Sequence, residues 1–298
     1  MKTMKIKSAK QIAVENGMHM LFLLCGMVTV GFVLCISVYL VISGLPAMIK
    51  IGFFDFFFGS KWQPAADTAE PAYGILPFIL TSVYGTAGAV AIGVPIGLLT
   101  AVYLAKFAPP KAARVIRTAV ELLAGIPSVV YGLVGMMVLV PAIQKLAHLS
   151  SGATLMAAMV VLAVMILPSV INVSETALRA VPREYEDASL ALGATETETC
   201  FRVSIPAAKS GIATAVALGV GRAIGEAMAI IMVSGNVANM PGLWQPVRFM
   251  TAAIATEMAY APVGSLQREA LFSVGLTLFL FIMLVNVFLR AVVKKTEA

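Results

Sequence analysis

Six apolar runs dominate the chain, at about 18–44, 75–105, 118–145, 154–173, 211–233 and 270–292. A helix rises about 1.5 Å per residue, so about 20 apolar residues cross a hydrocarbon core of about 30 Å. Hydrophobic residues make up 60% of the 298 and charged residues 12%, against about 25% charged in a soluble domain. A water-soluble fold cannot hide that much apolar surface. In lipid, the backbone must satisfy its own hydrogen bonds, and a helix does so within one segment. The chain is therefore predicted to be an all-α, multi-pass protein of the lipid bilayer with six transmembrane helices.

The net charge of +6 could suggest nucleic acid, but the placement of the charges argues against such a partner. One side of the predicted spans collects Lys2, Lys5, Lys7 and Lys10, then Lys106, Lys111, Arg114 and Arg117, then Arg179, Arg183, Arg202 and Lys209, and finally Arg290, Lys294 and Lys295. The other side holds only Lys50, Lys61, Lys145, Arg248 and Arg268. Lysine and arginine mark the cytoplasmic side. Both termini and the 181–212 loop are thus expected in the cytoplasm, and the 45–74 and 234–269 loops outside. Residues 1–17 form a short cytoplasmic segment, and 18–298 form the membrane domain. The run at 18–44 is too long for a signal core and lacks a cleavage site, so it is a retained span. Pro46 is expected to mark its exit. The aromatics Phe53, Phe54, Phe56, Phe57, Phe58 and Trp62 suit the headgroup level, although a loop folded back on the helix ends is also compatible. Cys25, Cys35 and Cys200 form neither a metal nor a disulfide pattern, and no metal or cofactor is expected.

The 181–212 loop is the longest charged interruption. Its first half has helical periodicity, with Tyr185, Ala188, Ala191 and Leu192 on one face. Gly193 permits a turn that a side chain would penalise. A second amphipathic piece follows, with Cys200, Phe201 and Ile205 as apolar positions and Pro206 closing it. Two short helices around a glycine make a knob suited to a groove on a soluble partner. The segment Asp187-Ala188-Ser189, then Gly193, then Val203-Ser204-Ile205-Pro206 resembles the Glu-Ala-Ala loop of ABC-importer permeases. Asp187 stands in the glutamate position with Glu186 beside it, so which carboxylate meets the ATPase stays open.

Arg222 and Glu226 lie in the fifth run, four residues apart, and are expected on one helix face. Gly221 and Gly225, also four apart, are expected to let another backbone approach. A charge deep in a bilayer costs about 3 kcal/mol on the lenient insertion scale, so the pair must face a cavity or a partner. Two readings stand: a neutralised pair that holds helices together, or an anion path in which a guanidinium fork meets an oxyanion. Glu226 could accept a proton from hydrogen phosphate yet repel sulfate. Pro127, within Gly125-Ile126-Pro127-Ser128-Val129-Val130-Tyr131-Gly132, interrupts the third run. It is either a packing kink or a helix break lining a substrate path.

Phe58-Gly59-Ser60-Lys61-Trp62-Gln63-Pro64, the segment around Pro127, and Gly221-Arg222-Ala223-Ile224-Gly225-Glu226-Ala227-Met228-Ala229 together resemble the phosphate-importer permease family, C-type subunit. The resemblance implies a type I ABC-importer permease in a prokaryotic cell (inner) membrane. It implies a heterodimer with an A-type permease, a dimeric ATP-binding subunit and an extracytoplasmic phosphate-binding protein. It also makes phosphate the expected substrate and places Arg222 and Glu226 on its path. No G-x-x-x-x-G-K-[ST] phosphate loop occurs, so nucleotide chemistry belongs to a partner and the chain is not itself an enzyme. A permease for another oxyanion and an ATP-independent secondary transporter are the alternatives. The second should show a repeat between its halves, and none is evident.

Overall fold

In a computed structural model that describes residues 9–64 and 71–297, the chain is almost entirely helical. In order come α1 (Ala9–Ile51), α2 (Phe53–Phe58), a two-residue hairpin of β1 (Trp62–Gln63) and β2 (Ala72–Tyr73), and α3 (Leu76–Val102). A π-turn at Tyr103–Phe107 leads to α4 (Pro110–Gly125), α5 (Ser128–Val134), a second π-turn at Gly135–Leu139 and α6 (Val140–Leu146). Then follow α7 (Leu155–Arg179), α8 (Arg183–Ala191), α9 (Glu196–Thr199), a third π-turn at Cys200–Ser204, α10 (Ile205–Ala207), α11 (Lys209–Gly225), α12 (Met228–Val233), α13 (Met250–Glu257) and α14 (Leu266–Glu297).

Five helices are long and apolar enough to cross a membrane alone, and α11 raises the number to 6 when joined to the run before it at a bend of 71°. Helix α7 lies at the centre. Its Leu162, Met165, Ile166 and Val170 are fully or almost fully buried. Small residues let its neighbours close in on it: a Cβ on Gly93 would meet Ile166 at 2.8 Å, and one on Gly97 would meet Val170 at 2.8 Å. These close approaches explain the glycines of the second apolar run physically. Helix α1 packs mainly on α14, where Gly44 faces the Phe272 backbone and the Ser273 hydroxyl donates to the Gly44 carbonyl. Residues 14–36 of α1 are exposed and mostly apolar, as expected of a lipid-facing or partner-facing span.

Several boundaries differ from the sequence expectation. Helix α1 begins inside the 1–17 segment and continues through Pro46, so that proline does not mark its exit. The third span is Ser128–Leu146 rather than 118–145. Residues 118–125 instead complete the amphipathic α4. Ile126 and Pro127 are extended, with ψ of 127° and 141°, because a residue before proline is pushed out of the helical region. The aromatics between α1 and α3 and at the start of α3 divide into two groups. Phe53, Phe54 and Phe58 are exposed, whereas Phe56, Trp62, Tyr73 and Phe78 form a buried cluster. Trp62 donates to both carboxylate oxygens of Glu257, at 3.1 and 3.0 Å, and Glu257 is ion-paired with Arg248. The segment around Trp62 is thus partly folded back and pinned by polar contacts.

Candidate functional site

Two helix breaks lie side by side within the membrane domain. The first is the extended pair Ile126–Pro127 between α4 and α5. The second is Glu226–Ala227 between α11 and α12, where Glu226 is extended with ψ 133°. Breaking a helix frees carbonyls, and in lipid each must find a donor. At the first break the Tyr131 hydroxyl donates to the Leu123 carbonyl at 2.6 Å. At the second the Thr251 hydroxyl of α13 donates to the Glu226 carbonyl at 2.6 Å. The short helices after the breaks touch, because Gly132 of α5 has no side chain to hold off Ala229, whose Cα would lie 2.8 Å from a Cβ there.

This arrangement overturns the shared helix face of Arg222 and Glu226. Arg222 is on α11, but the helix stops at Gly225 and Glu226 lies outside it. The Glu226 carboxylate accepts a hydrogen bond from the Ala229 backbone N–H at 3.1 Å, so it caps the first turn of α12. Among the described residues Arg222 has no ion pair and no side-chain hydrogen bond, though its charge acts on Tyr131. Gly221 and Gly225 approach no other backbone: a Cβ at either meets nothing within 4 Å. They leave open space near the half-buried Arg222, and Gly125, just before the first break, likewise has nothing within 4 Å of a Cβ.

The 181–212 knob is built as two helical pieces around Gly193, whose φ is +88°. A side chain is rarely tolerated at such a φ. Thr195 and Glu198 form a reciprocal capping box that starts the second piece, a local sequence device that fixes the turn. Pro206 does not close this piece. It lies in α10, directly after the π-turn, and the bend falls at Ala208. A π-turn shifts the amide pairing by one residue, so a proline just beyond it is tolerated. Cys200 and Ala208 pack with Val102, Leu178 and Val181, and Ile205 lies against them, which seats the knob on the ends of α3 and α7. Phe201, one of the apolar positions of the second piece, is exposed, as are Tyr185, Ala188, Ala191 and Leu192; Leu192 is 91% exposed. The apolar face of the knob is thus presented outward.

The two adjacent carboxylates of the knob are not equivalent. Glu186 is turned inward, ion-paired with Lys106 and accepting from the Ser204 hydroxyl at 2.8 Å. Burial pushes its carboxyl up, but the Lys106 and Ser204 hydrogen bonds, with the charges of Lys106 and Arg183, more than offset this and hold it below the usual range. Asp187 is exposed. Beneath the knob sits a second charged group that the sequence motifs did not single out. Glu175 of α7, with a side chain 8% exposed, receives Nε and Nη2 of Arg117 at 2.9 and 2.6 Å and Nε of Arg179 at 2.9 Å. Arg179 also donates to the Leu104 carbonyl at 2.6 Å. The four-residue spacing of Glu175 and Arg179 was a readable signal. The contact with Arg117, 58 positions away, had none. No group of three or more His, Cys, Asp or Glu is placed to hold a metal among the described residues.

The chain matches the family described as binding-protein-dependent transport system inner membrane component over residues 93–298. The match includes both breaks and the knob. A probable ABC transporter permease protein of Bacillus subtilis (strain 168), YqgH, is 36% identical over 275 residues, covering 90% of this chain and 88% of the relative. The phosphate transport system permease proteins PstC of Pasteurella multocida and Haemophilus influenzae are 32% and 34% identical, over 88% of this chain in each case and 89% and 87% of theirs. Among solved structures, the inward-facing methionine ABC transporter has a TM-score of 0.59 at 21% identity, covering 74% of this chain and 95% of its own. A bacterial ABC transporter for the import of alginate has a TM-score of 0.63 at 13% identity, covering 95% of this chain and 99% of its own; at these identities the likeness concerns the fold. The chain therefore belongs to the family of binding-protein-dependent transport system inner membrane components, and it is a multi-pass ABC-transporter permease rather than an enzyme.

Proposed function

We propose that the chain is the C-type permease subunit of an ATP-driven phosphate importer. It forms the translocation path with an A-type permease, is moved by a dimeric ATP-binding subunit on the cytoplasmic side of the membrane, and receives phosphate from an extracytoplasmic binding protein. The observation that carries this reading is Arg222, a guanidinium without an ion-pair partner beside two apposed helix breaks. A forked donor suits two oxygens of a tetrahedral anion. The open space at Gly221 and Gly225 leaves room for that anion or for the second permease. The phosphate permeases among its relatives support the choice of substrate.

The knob serves as the docking element. Its exposed Tyr185, Ala188 and Leu192 offer an apolar face to the ATP-binding subunit, Gly193 sets the angle between its halves, and Ile205 and Pro206 join it to α11. With Glu186 engaged by Lys106, Asp187 is the acid left free to meet the ATPase. Both termini lie on this side. In the transport cycle the path past Arg222 opens alternately to the two sides.

The test is ATP-dependent uptake of radiolabelled phosphate by the reconstituted complex, with sulfate and molybdate as competitors. Phosphate uptake should resist excess sulfate. Arg222→Ala should lower it by about 100-fold, the scale of a lost charge-assisted contact of about 3 kcal/mol. Full competition by sulfate would redirect the reading to another oxyanion, and uptake by this chain without ATP would replace it with a secondary transporter.

A further inference from the structure

Besides the chain connection from α7 into α8, two routes link the knob to the pair of helix breaks, and the sequence reveals only one of them. The covalent route runs from α10 through the 71° bend into α11 and ends at Glu226. The second is made of charged contacts. Glu186 of α8 holds Lys106 and Ser204, joining both halves of the knob to the π-turn at Tyr103–Phe107. The Leu104 carbonyl of that same turn receives Arg179, Arg179 holds Glu175, and Glu175 holds Arg117 on α4. From Arg117 the helix runs without interruption to Gly125 and the Ile126–Pro127 break. Its last turn is tied across that break by Tyr131.

We propose that Glu186 and Glu175 are positioning residues of the transport cycle, forming a charge lock that delivers motion of the knob to the Pro127 break. The inference rests on the permease reading. By this lock, α4 moves with the knob while the covalent route moves α11, so the two walls of the apposed breaks shift in register. Without it, α4 keeps only the apolar packing of Ala113 and Val120 on Leu104 and Ile171, and it follows the knob less closely.

The geometry favours a lock over a loose surface pairing. The side chains of Glu186 and Lys106 are 21% and 16% exposed, and Glu175 is 8% exposed while its partners Arg117 and Arg179 are 41% and 47% exposed, so the Glu186–Lys106 pair is the better shielded of the two. Exposed pairs are screened and weakly held, whereas pairs removed from water keep their geometry. The Arg117 fork places two donors on one oxygen of Glu175, which fixes direction as well as distance. Leu104, which supplies the linking carbonyl, is 2% exposed, and the Arg179 side chain that reaches it is 47% exposed. Each step is a direct contact between a helix or turn and the next. Connectivity alone does not establish coupling, however, and the decisive observation is non-additivity between partners.

The experiment uses the whole transporter in proteoliposomes. Cys25, Cys35 and Cys200 are replaced, and Gly125→Cys serves as a reporter at the end of α4, where a side chain meets open space. In the otherwise unaltered chain, ATP should change the alkylation rate at position 125 by about tenfold, within the ordinary range of coupling between sites. Lys106→Glu and Glu186→Lys should each abolish that change and raise the ATP hydrolysed per anion transported. The Lys106→Glu/Glu186→Lys double reversal should restore both. Arg117→Lys, which keeps the charge but loses the fork, should reduce the change while the complex still co-purifies with its ATP-binding subunit. The lock is overturned if the single reversals leave the ATP-dependent change intact, or if the double reversal is no better than the singles. The labelling readout requires ATP but no particular anion. A complex that carries another oxyanion therefore still tests the lock, and failure of the lock leaves the phosphate reading to its own uptake assay.

Discussion

Two charged groups of this permease invite comparison. Arg222 and Glu226 are four residues apart in the sequence, yet they form no ion pair, because the helix that would align them ends between them. Arg117 and Glu175 are far apart in sequence, yet they form a close two-donor contact, with Arg179 adding a second cation. The first group is unsatisfied at its cation and sits beside apposed helix breaks. The second is satisfied on every side that the chain can offer and sits where α4 meets α7 beneath the knob. An unpaired cation is costly in a membrane and is retained where something passes or docks. A paired one has a structural or mechanical task.

That difference should separate stability from transport. Glu175→Ala leaves Arg117 and Arg179 without their shared carboxylate; because these arginines are 41% and 47% exposed, the cost falls below the buried-pair scale, to about 2 kcal/mol. A clear drop in Tm of the assembled complex is therefore expected, while Arg222→Ala should leave Tm nearly unchanged despite its loss of uptake. If both substitutions lowered Tm equally, Arg222 would belong to the structural class and the contrast would fail.

A smaller effect is expected at Glu226. Glu226→Ala removes the acceptor for the Ala229 amide and should cost about 1 kcal/mol, as lost helix caps do. Glu226→Gln keeps an acceptor of the same shape, so Tm should be retained and only the charge is altered. If Glu226→Gln transports phosphate and still excludes sulfate, the carboxylate acts as a cap and has no part in selecting the anion.

The smallest effect concerns pH. The Glu186 carboxyl is lowered from its ordinary 4.5 when folded. A lowered folded value means that its stabilising contribution is complete above about 4.5 and is lost only as pH falls through the folded value. The coupling ratio should thus be insensitive to this group between about pH 6 and 8. A rise in ATP hydrolysed per anion across that window, absent in Glu186→Gln, would show that the Lys106 contact is weaker than its geometry indicates.

Much of the architecture was legible in the residues themselves. Hydrophobic runs fix the spans because burial in lipid is decided segment by segment. Pro127 announced a break because its ring constrains both itself and Ile126, and Gly193 announced a turn because its φ suits no side chain. The capping box at Thr195 and Glu198 is likewise local. The positions that departed from expectation had both local and distant causes. Pro206 was rescued by a π-turn, and Pro46 lies inside a helix that runs to Ile51. Trp62 was drawn inward by Glu257, which comes from a distant loop.

The sequence by itself determined the class of molecule, the order of its apolar spans and the changes of backbone direction at Pro127 and Gly193, since these depend on apolar length and local sterics. Only the tertiary structure decided that Glu226 caps α12 rather than neutralising Arg222, that Glu186 faces inward while Asp187 faces out, and that Glu175 collects two arginines. Those outcomes depend on which donor reaches which acceptor once the helices are packed. Spacing along the chain cannot specify that when the partners lie on different helices or when a helix stops between them.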